Sequence, residues 1–235
     1  MKKVLIIALS LMMLVFCASC ADKEANTVEK SDALIDYITV YTPEGQVEGY
    51  LEFEYDNNGN LTTNGMQDVN HAWIWFYVNE YDQDGNKTKM SQYDDRGNVL
   101  VTFSYENDDK GNAVKEITSY SDDSLMEQSK TMEYDDDRLT KVIHGDNSYY
   151  SYEYDKKGNQ LKELYYTAGG ELVRTYENIY DKNGNLVKTA FVSADGTIES
   201  YSTYEYNSKG ETTFSYDYDE NGKLINKSEY HYITK

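Results

Sequence analysis

One short phrase returns at a fixed beat through most of this 235-residue chain: an aromatic residue, then Asp or Asn, two polar residues and a glycine. In the second half the glycines stand at 158, 170, 184, 196, 210 and 222, so the spacing alternates 12 and 14 and the true period is 26 residues, with two turns in each. Such a beat leaves little room for a helix of ordinary length. It dictates a chain that reverses direction over and over.

Each phrase has the chemistry of a tight hairpin loop. The Asp or Asn side chain can accept from the backbone two residues on, and glycine supplies the positive φ that closes a type I turn with a bulge. Between the turns the residues alternate with a period of two, as at Leu172, Arg174, Tyr176, Asn178 and Tyr180 against Val173, Thr175, Glu177 and Ile179, which is strand periodicity. Such a hairpin pairs the aromatic residue four before the glycine with the residue two after it. Tyr180 then faces Leu186, Tyr218 faces Leu224, Tyr166 faces Leu172 and Tyr93 faces Val99. Each aromatic-aliphatic pair contributes roughly 0.2–1 kcal/mol.

The grid covers Gly45, Gly59, Gly85, Gly97, Gly111, Gly158, Gly170, Gly184, Gly196, Gly210 and Gly222, eleven of the fifteen glycines, which excludes coincidence. The missing beats fall near Asn70 and His71, at Asp122-Asp123-Ser124, at Asp135 to Arg138 and at Gly145-Asp146-Asn147. The fold class is therefore all-β: a sequential antiparallel meander of about fifteen strands of about 8–10 residues. Laid flat it would extend about 70 Å, and sheets of that length twist or curl spirally so that one face becomes an interior. Leu61, Val99, Leu172, Leu186, Ile198 and Leu224, with the turn tyrosines, are the expected inward set; Tyr201, Ile179, Leu164 and Phe191 fall on the other face.

Ahead of the repeats stands an export signal. Lys2 and Lys3 precede an apolar run from Val4 to Phe16, which ends in Cys17-Ala18-Ser19-Cys20. The run is short for a membrane span. Residues 1–19 read as a cleaved signal peptide, 20–35 as a charged flexible tether and 36–235 as the repeat domain. The signal's end resembles the lipobox of bacterial lipoproteins, with Cys17 where Leu is usual; this implies lipid on Cys20 and an outer-membrane anchor, facing either the periplasm or the surface. Cleavage after Ala21 is the other reading, and leaves a soluble exported protein. Asp22-Lys23-Glu24 resembles the surface-export signals of Bacteroidota lipoproteins, or serves as a plain solvated linker.

Beyond Cys20 there is no cysteine, so burial and hydrogen bonding alone hold the domain. A formal net charge of −20 repels nucleic acid and anionic headgroups.

The Tyr-Asp-x-x-Gly-Asn phrases at 55, 81, 93, 154 and 180 resemble the YD repeats of Rhs and teneurin-type proteins, over roughly residues 37–232. In those families the repeats form a long antiparallel sheet that spirals into a shell around a toxin or acts in adhesion. This chain carries neither the protease segment nor the toxin domain of the large members, so the resemblance implies a fold and not a toxin role.

Nothing in the sequence assembles a catalytic site, a cofactor site or a metal site. His71, His144 and His231 are dispersed, no serine stands in a Gly-x-Ser-x-Gly setting, and Asp82-x-Asp84-Gly85-Asn86 lacks the later glycine and the closing Glu of a calcium loop. The one local anomaly is His71-Ala-Trp-Ile-Trp-Phe-Tyr-Val78. Strict alternation puts His71, Trp73, Trp75 and Tyr77 on one face, either a sugar-stacking platform or the bulkiest part of the core. The expected function is a non-enzymatic, envelope-anchored β-repeat lipoprotein that binds glycan or protein outside the cytoplasm. The alternative is a structural spacer or assembly component without a small ligand.

Overall fold

The computed structural model describes residues 33–234, so the signal peptide, Cys20 and most of the tether lie outside the described residues. Sixteen strands follow one another in chain order: β1 Ala33–Tyr41, β2 Val47–Tyr55, β3 Leu61–Gln67, β4 Trp73–Tyr81, β5 Lys87–Asp94, β6 Val99–Asn107, β7 Ala113–Tyr120 and β8 Gln128–Asp135. The series continues with β9 Arg138–His144, β10 Tyr149–Tyr154, β11 Gln160–Tyr166, β12 Leu172–Tyr180, β13 Leu186–Ser193, β14 Ile198–Tyr206, β15 Thr212–Asp219 and β16 Leu224–Thr234. Every strand pairs antiparallel with its sequence neighbours, and β1 also pairs with β16. The sheet is thus a closed barrel and neither an open ribbon nor a spiral. Eight registered pairs make the seam, from Ala33 with Thr234 to Tyr41 with Lys227. Closure leaves the meander no edge strand open to another chain.

The turns are built as the phrase requires. All eleven grid glycines have φ between 75° and 91°, and at three of the four missing beats the left-handed position passes to His71 (φ 62°), Asp136 (φ 53°) or Asn147 (φ 67°), while the turn at Asp122-Asp123-Ser124 has no positive φ. In the Tyr-Asp-x-x-Gly-Asn loops the Asp does more than the sequence shows. At Asp181, Oδ1 accepts from the backbone of Asn183 and Asn185 while Oδ2 accepts from the Asn185 side chain. The same set recurs at Asp82 with Asp84 and Asn86, so the calcium-like loop has its carboxylate engaged by its own turn.

The bulge beside each turn decides which way the tyrosines look. Tyr154 to Tyr166 is an even step, yet the bulge opposite Tyr154 consumes one residue and the two rings end on opposite faces. Tyrosines at one end of the barrel therefore point inward and those at the other end point out. At the inward end Tyr55, Tyr81, Tyr134, Tyr154, Tyr180, Tyr206 and Tyr232 each donate their hydroxyl to a main-chain carbonyl at the start of the preceding strand, at 2.7–3.0 Å. In β6 the amide of Asn107 does the same to Lys87, at 3.0 Å. Every even-numbered strand contributes one such bond, which gives the 26-residue period its physical reason.

At the outward end the expected inward set needs correcting. All four expected pairs form, Tyr180 with Leu186 at the inward end and Tyr218 with Leu224, Tyr166 with Leu172 and Tyr93 with Val99 at the outward end. Val99, Leu172 and Ile198, however, are 39%, 36% and 41% exposed, because the bulge turned them out. Leu61 packs against the core, and Phe191, cross-strand from Tyr176, faces in. The apolar core is lopsided: Ile38, Val40, Leu51, Phe53, Met66 and Tyr230 cluster at the seam.

Candidate functional site

Two surfaces concentrate chemistry, one on each wall. The outer one grows from the anomaly in β4. A bulge sets Gln67 opposite Trp73 and leaves Ile74 as the extra residue, so alternation breaks between the two tryptophans. Trp75 and Tyr77 face in, their rings 5.6 Å apart, with Trp75 against the seam core and burial pushing the Tyr77 phenol up to about 12. Trp73 faces out and packs on Phe76 at 5.3 Å. His71, held in the left-handed region, also lies outside. Its ring stacks on Tyr50 at 4.5 Å, with Nδ1 3.3 Å from the Gln67 amide oxygen. The four residues expected on one face are split two and two.

What closure assembles instead is an outer aromatic strip. His231 of β16 stacks on Tyr37 of β1 at 4.2 Å, and Tyr37 meets Tyr50 of β2 edge-on at 6.4 Å. The Tyr50–His71 and Trp73–Phe76 contacts continue the strip, and Phe76 stacks on Tyr93 of β5 at 4.9 Å. It spans six neighbouring strands, about 24 Å at 4.8 Å per strand. Gln67 and Glu52 border it; Glu52 lies 4.0 Å from the His71 ring, and burial is the main cause that raises its carboxyl. Sequence analysis found His71 and Trp73 and missed the rest, because Tyr37 and His231 are separated by nearly the whole domain.

The outer wall also carries charged pairs among exposed apolar side chains such as Ile179 and Val99. Cross-strand pairs Glu80–Lys89, Glu106–Lys115 and Lys162–Glu177 stand on it at 3.0, 2.7 and 2.8 Å. A charged residue on a lipid-facing barrel wall costs up to about 2–4 kcal/mol at mid-bilayer.

The inner surface of interest lies away from the seam, on β7–β12. Glu116, 3% exposed, pairs with Lys130 at 2.7 Å. Arg174 donates through Nη2 to the Tyr150 hydroxyl at 2.8 Å, and its guanidinium sits 4.7 Å from the centre of the Tyr165 ring. The His144 ring lies 5.5 Å from Tyr150 and 6.4 Å from Tyr165. His71 and His231 are outside and His144 inside, so the three histidines share no site.

Glu163, on the same inner face, has its carboxyl pushed up to about 7 by burial, with Arg174 opposing in part. Since the folded value lies above the unfolded one, this group's contribution is fully present at low pH and is lost as pH rises from the ordinary glutamate range through about 7. Glu163→Gln should therefore leave stability unchanged at about pH 4 and raise it by roughly 2 kcal/mol at about pH 8. Thermal or urea unfolding of both proteins across pH checks this. A variant equally stabilised at both ends of the range contradicts it.

Comparison with known proteins adds the following. No curated protein matches the sequence. Among solved structures, a porin-like protein from Bacteroides uniformis is 12% identical with a TM-score of 0.55, covering 85% of this chain and 98% of that one, a likeness of fold. A porin-like protein from Bacteroides vulgatus is 12% identical with a TM-score of 0.41, covering 86% and 99%. The TcdB2-TccC3-TEV structure is 12% identical with a TM-score of 0.36, covering 77% of this chain, which spans only 12% of that one. Residues 102–235, more than half of the sequence, match the model of a family described as "Uncharacterised protein", and the chain belongs to that family.

Proposed function

We propose that this chain is an exported, non-enzymatic β-barrel that binds an extended glycan across its outer aromatic strip. The observation that carries the reading is the pair of adjoining ring groups on the outer wall, His231–Tyr37–Tyr50–His71 and Trp73–Phe76–Tyr93, spread over six strands. Sugar rings stack on aromatic faces, and the Gln67 amide and Glu52 carboxylate stand ready to bond hydroxyls. The charged pairs on the outer wall support a barrel that stands clear of the bilayer. Export by the residue 1–19 signal and a lipid anchor on Cys20 complete the proposal, in keeping with the porin-like description of the Bacteroides uniformis relative. A palmitate analogue should label the wild type and not Cys20→Ala.

The experiment is a polysaccharide panel against the purified protein, with the two tryptophans as internal controls. Trp73→Ala should weaken glycan binding about tenfold or more while changing stability little, since its loss removes a stacking surface. Trp75→Ala should do the reverse, costing about 3 kcal/mol of stability because it empties part of the core. Unaltered binding by Trp73→Ala removes the strip from consideration. If no polysaccharide binds, the structural-spacer reading takes its place.

A further inference from the structure

The turn between β7 and β8 departs furthest from the repeat. It has neither a glycine nor a positive φ, and it runs from Ser121 to Glu127 before β8 begins. Both of its ends are fixed. Ser121 donates its backbone N–H and its hydroxyl to the Leu100 carbonyl at 3.0 and 3.1 Å, and the Ser119 hydroxyl donates to the Glu127 carboxylate at 3.1 Å. Between these anchors Leu125 and Met126 are 52% and 83% exposed, and no other large apolar side chain among the described residues is as exposed as Met126. Val99 and Leu100, each 39% exposed, open the neighbouring strand β6, and Leu100 is the residue on which the turn is anchored. Asp95, Asp122, Asp123 and Glu127 stand in the two turns that frame these four side chains, and none of them makes an ion pair with a described residue. Arg96 is the single Lys or Arg of the two turns.

We propose that the Ser121–Glu127 turn and the start of β6 form a docking surface for a basic amphipathic segment of a partner protein. Its apolar face would lie on Val99, Leu100, Leu125 and Met126, and its lysines or arginines would reach the four carboxylates. Charge complementarity selects this occupant. A second copy docked through the same patch would bring like acids face to face, and anionic headgroups would be repelled in the same way. A basic segment meets opposite charge all round the apolar contact. Methionine suits the task, because its unbranched, polarisable side chain adapts to the residues laid against it. The patch uses none of the strip's rings, so it stands or falls independently of the glycan reading.

The test is fluorescence anisotropy with the purified full chain and a labelled helical peptide that carries leucines on one face and lysines on the other. Polylysine and the same peptide with glutamate for every lysine are its counterparts. The leucine-lysine peptide should bind saturably and more tightly than either. Leu125→Ser with Met126→Ser should weaken it about tenfold or more. Asp95→Asn with Asp123→Asn should weaken it about threefold and flatten its salt dependence. Ile179→Ser, at a comparably exposed position that faces Lys188 across its ladder, should change nothing. No binding of the leucine-lysine peptide, equal binding of polylysine, or full binding by the Leu125–Met126 variant overturns the proposal. So does self-association of the wild type that this variant abolishes, which assigns the patch to a second copy. Adsorption of the wild type but not the variant to phosphatidylcholine vesicles overturns it as well, and assigns the patch to a membrane.

Discussion

Val40→Asp is expected to unfold the barrel. Val40 is 0% exposed, sits one residue before the end of β1 and faces Ser228 across the seam, with Ile38, Leu51, Phe53, Met66 and Tyr230 around it. None of the described residues in that cluster carries a positive charge, so a new carboxylate among them must either stay charged without a partner or take up a proton. Either course costs on the order of 4–5 kcal/mol or more, a large share of the stability of a single domain. Because this cluster holds the first strand to the last, the damage falls on closure itself. Val40→Ala, which leaves only a small cavity, should cost about 1–3 kcal/mol and keep a cooperative transition. Far-UV circular dichroism and urea unfolding distinguish the two; a Val40→Asp protein that unfolds at the wild-type midpoint means that the seam core does not hold the barrel shut.

Gly65→Val comes next in expected effect. Gly65 lies opposite Phe76 in the β3–β4 ladder, and a Cβ there would run into the Trp75 carbonyl and the Phe76 Cα. These are backbone atoms of the neighbouring strand, and no rotamer change can move them aside. A branched side chain should force β3 and β4 apart and cost about 3 kcal/mol. It should also weaken glycan binding, because Trp73 and Phe76 ride on the displaced strand. Gly97→Val is a useful contrast, for a Cβ at Gly97 meets nothing within 4 Å and only the φ of 79° opposes it. Equal tolerance of both substitutions would show that the two strands do not approach as closely as described.

Much of this fold is written locally, and for that reason it was legible. The Asp-x-x-Gly-Asn turns, the aromatic-aliphatic pairs beside them and the replacement of glycine by His71 and Asn147 all depend on contacts within a few residues. What alternation alone misjudged was the bulge, one unpaired residue that reverses the face of everything after it. That is why Val99, Leu172 and Ile198 look outward and why Trp73 parted from Trp75. Closure was illegible for a different reason: the pairing of Tyr37 with His231 leaves no periodic mark on either strand. The aromatic strip inherits that illegibility, and so does the inner cluster, where Arg174 and Tyr150 are brought together from strands two apart.

The pairing of β1 with β16 can be tested by a single cross-link. Thr39 and Glu229 are direct register partners across the seam, and opposite residues of an antiparallel pair have Cα atoms about 4.5–5.5 Å apart, within disulfide reach. In the full chain with Cys17 and Cys20 replaced by Ser, Thr39→Cys with Glu229→Cys should oxidise readily to an intramolecular bridge in the native protein and fail to do so in urea. An open or spiralling sheet would hold the two thiols tens of ångströms apart, about 70 Å in a flat meander. Thiols that stay free in the folded monomer would contradict the closed barrel.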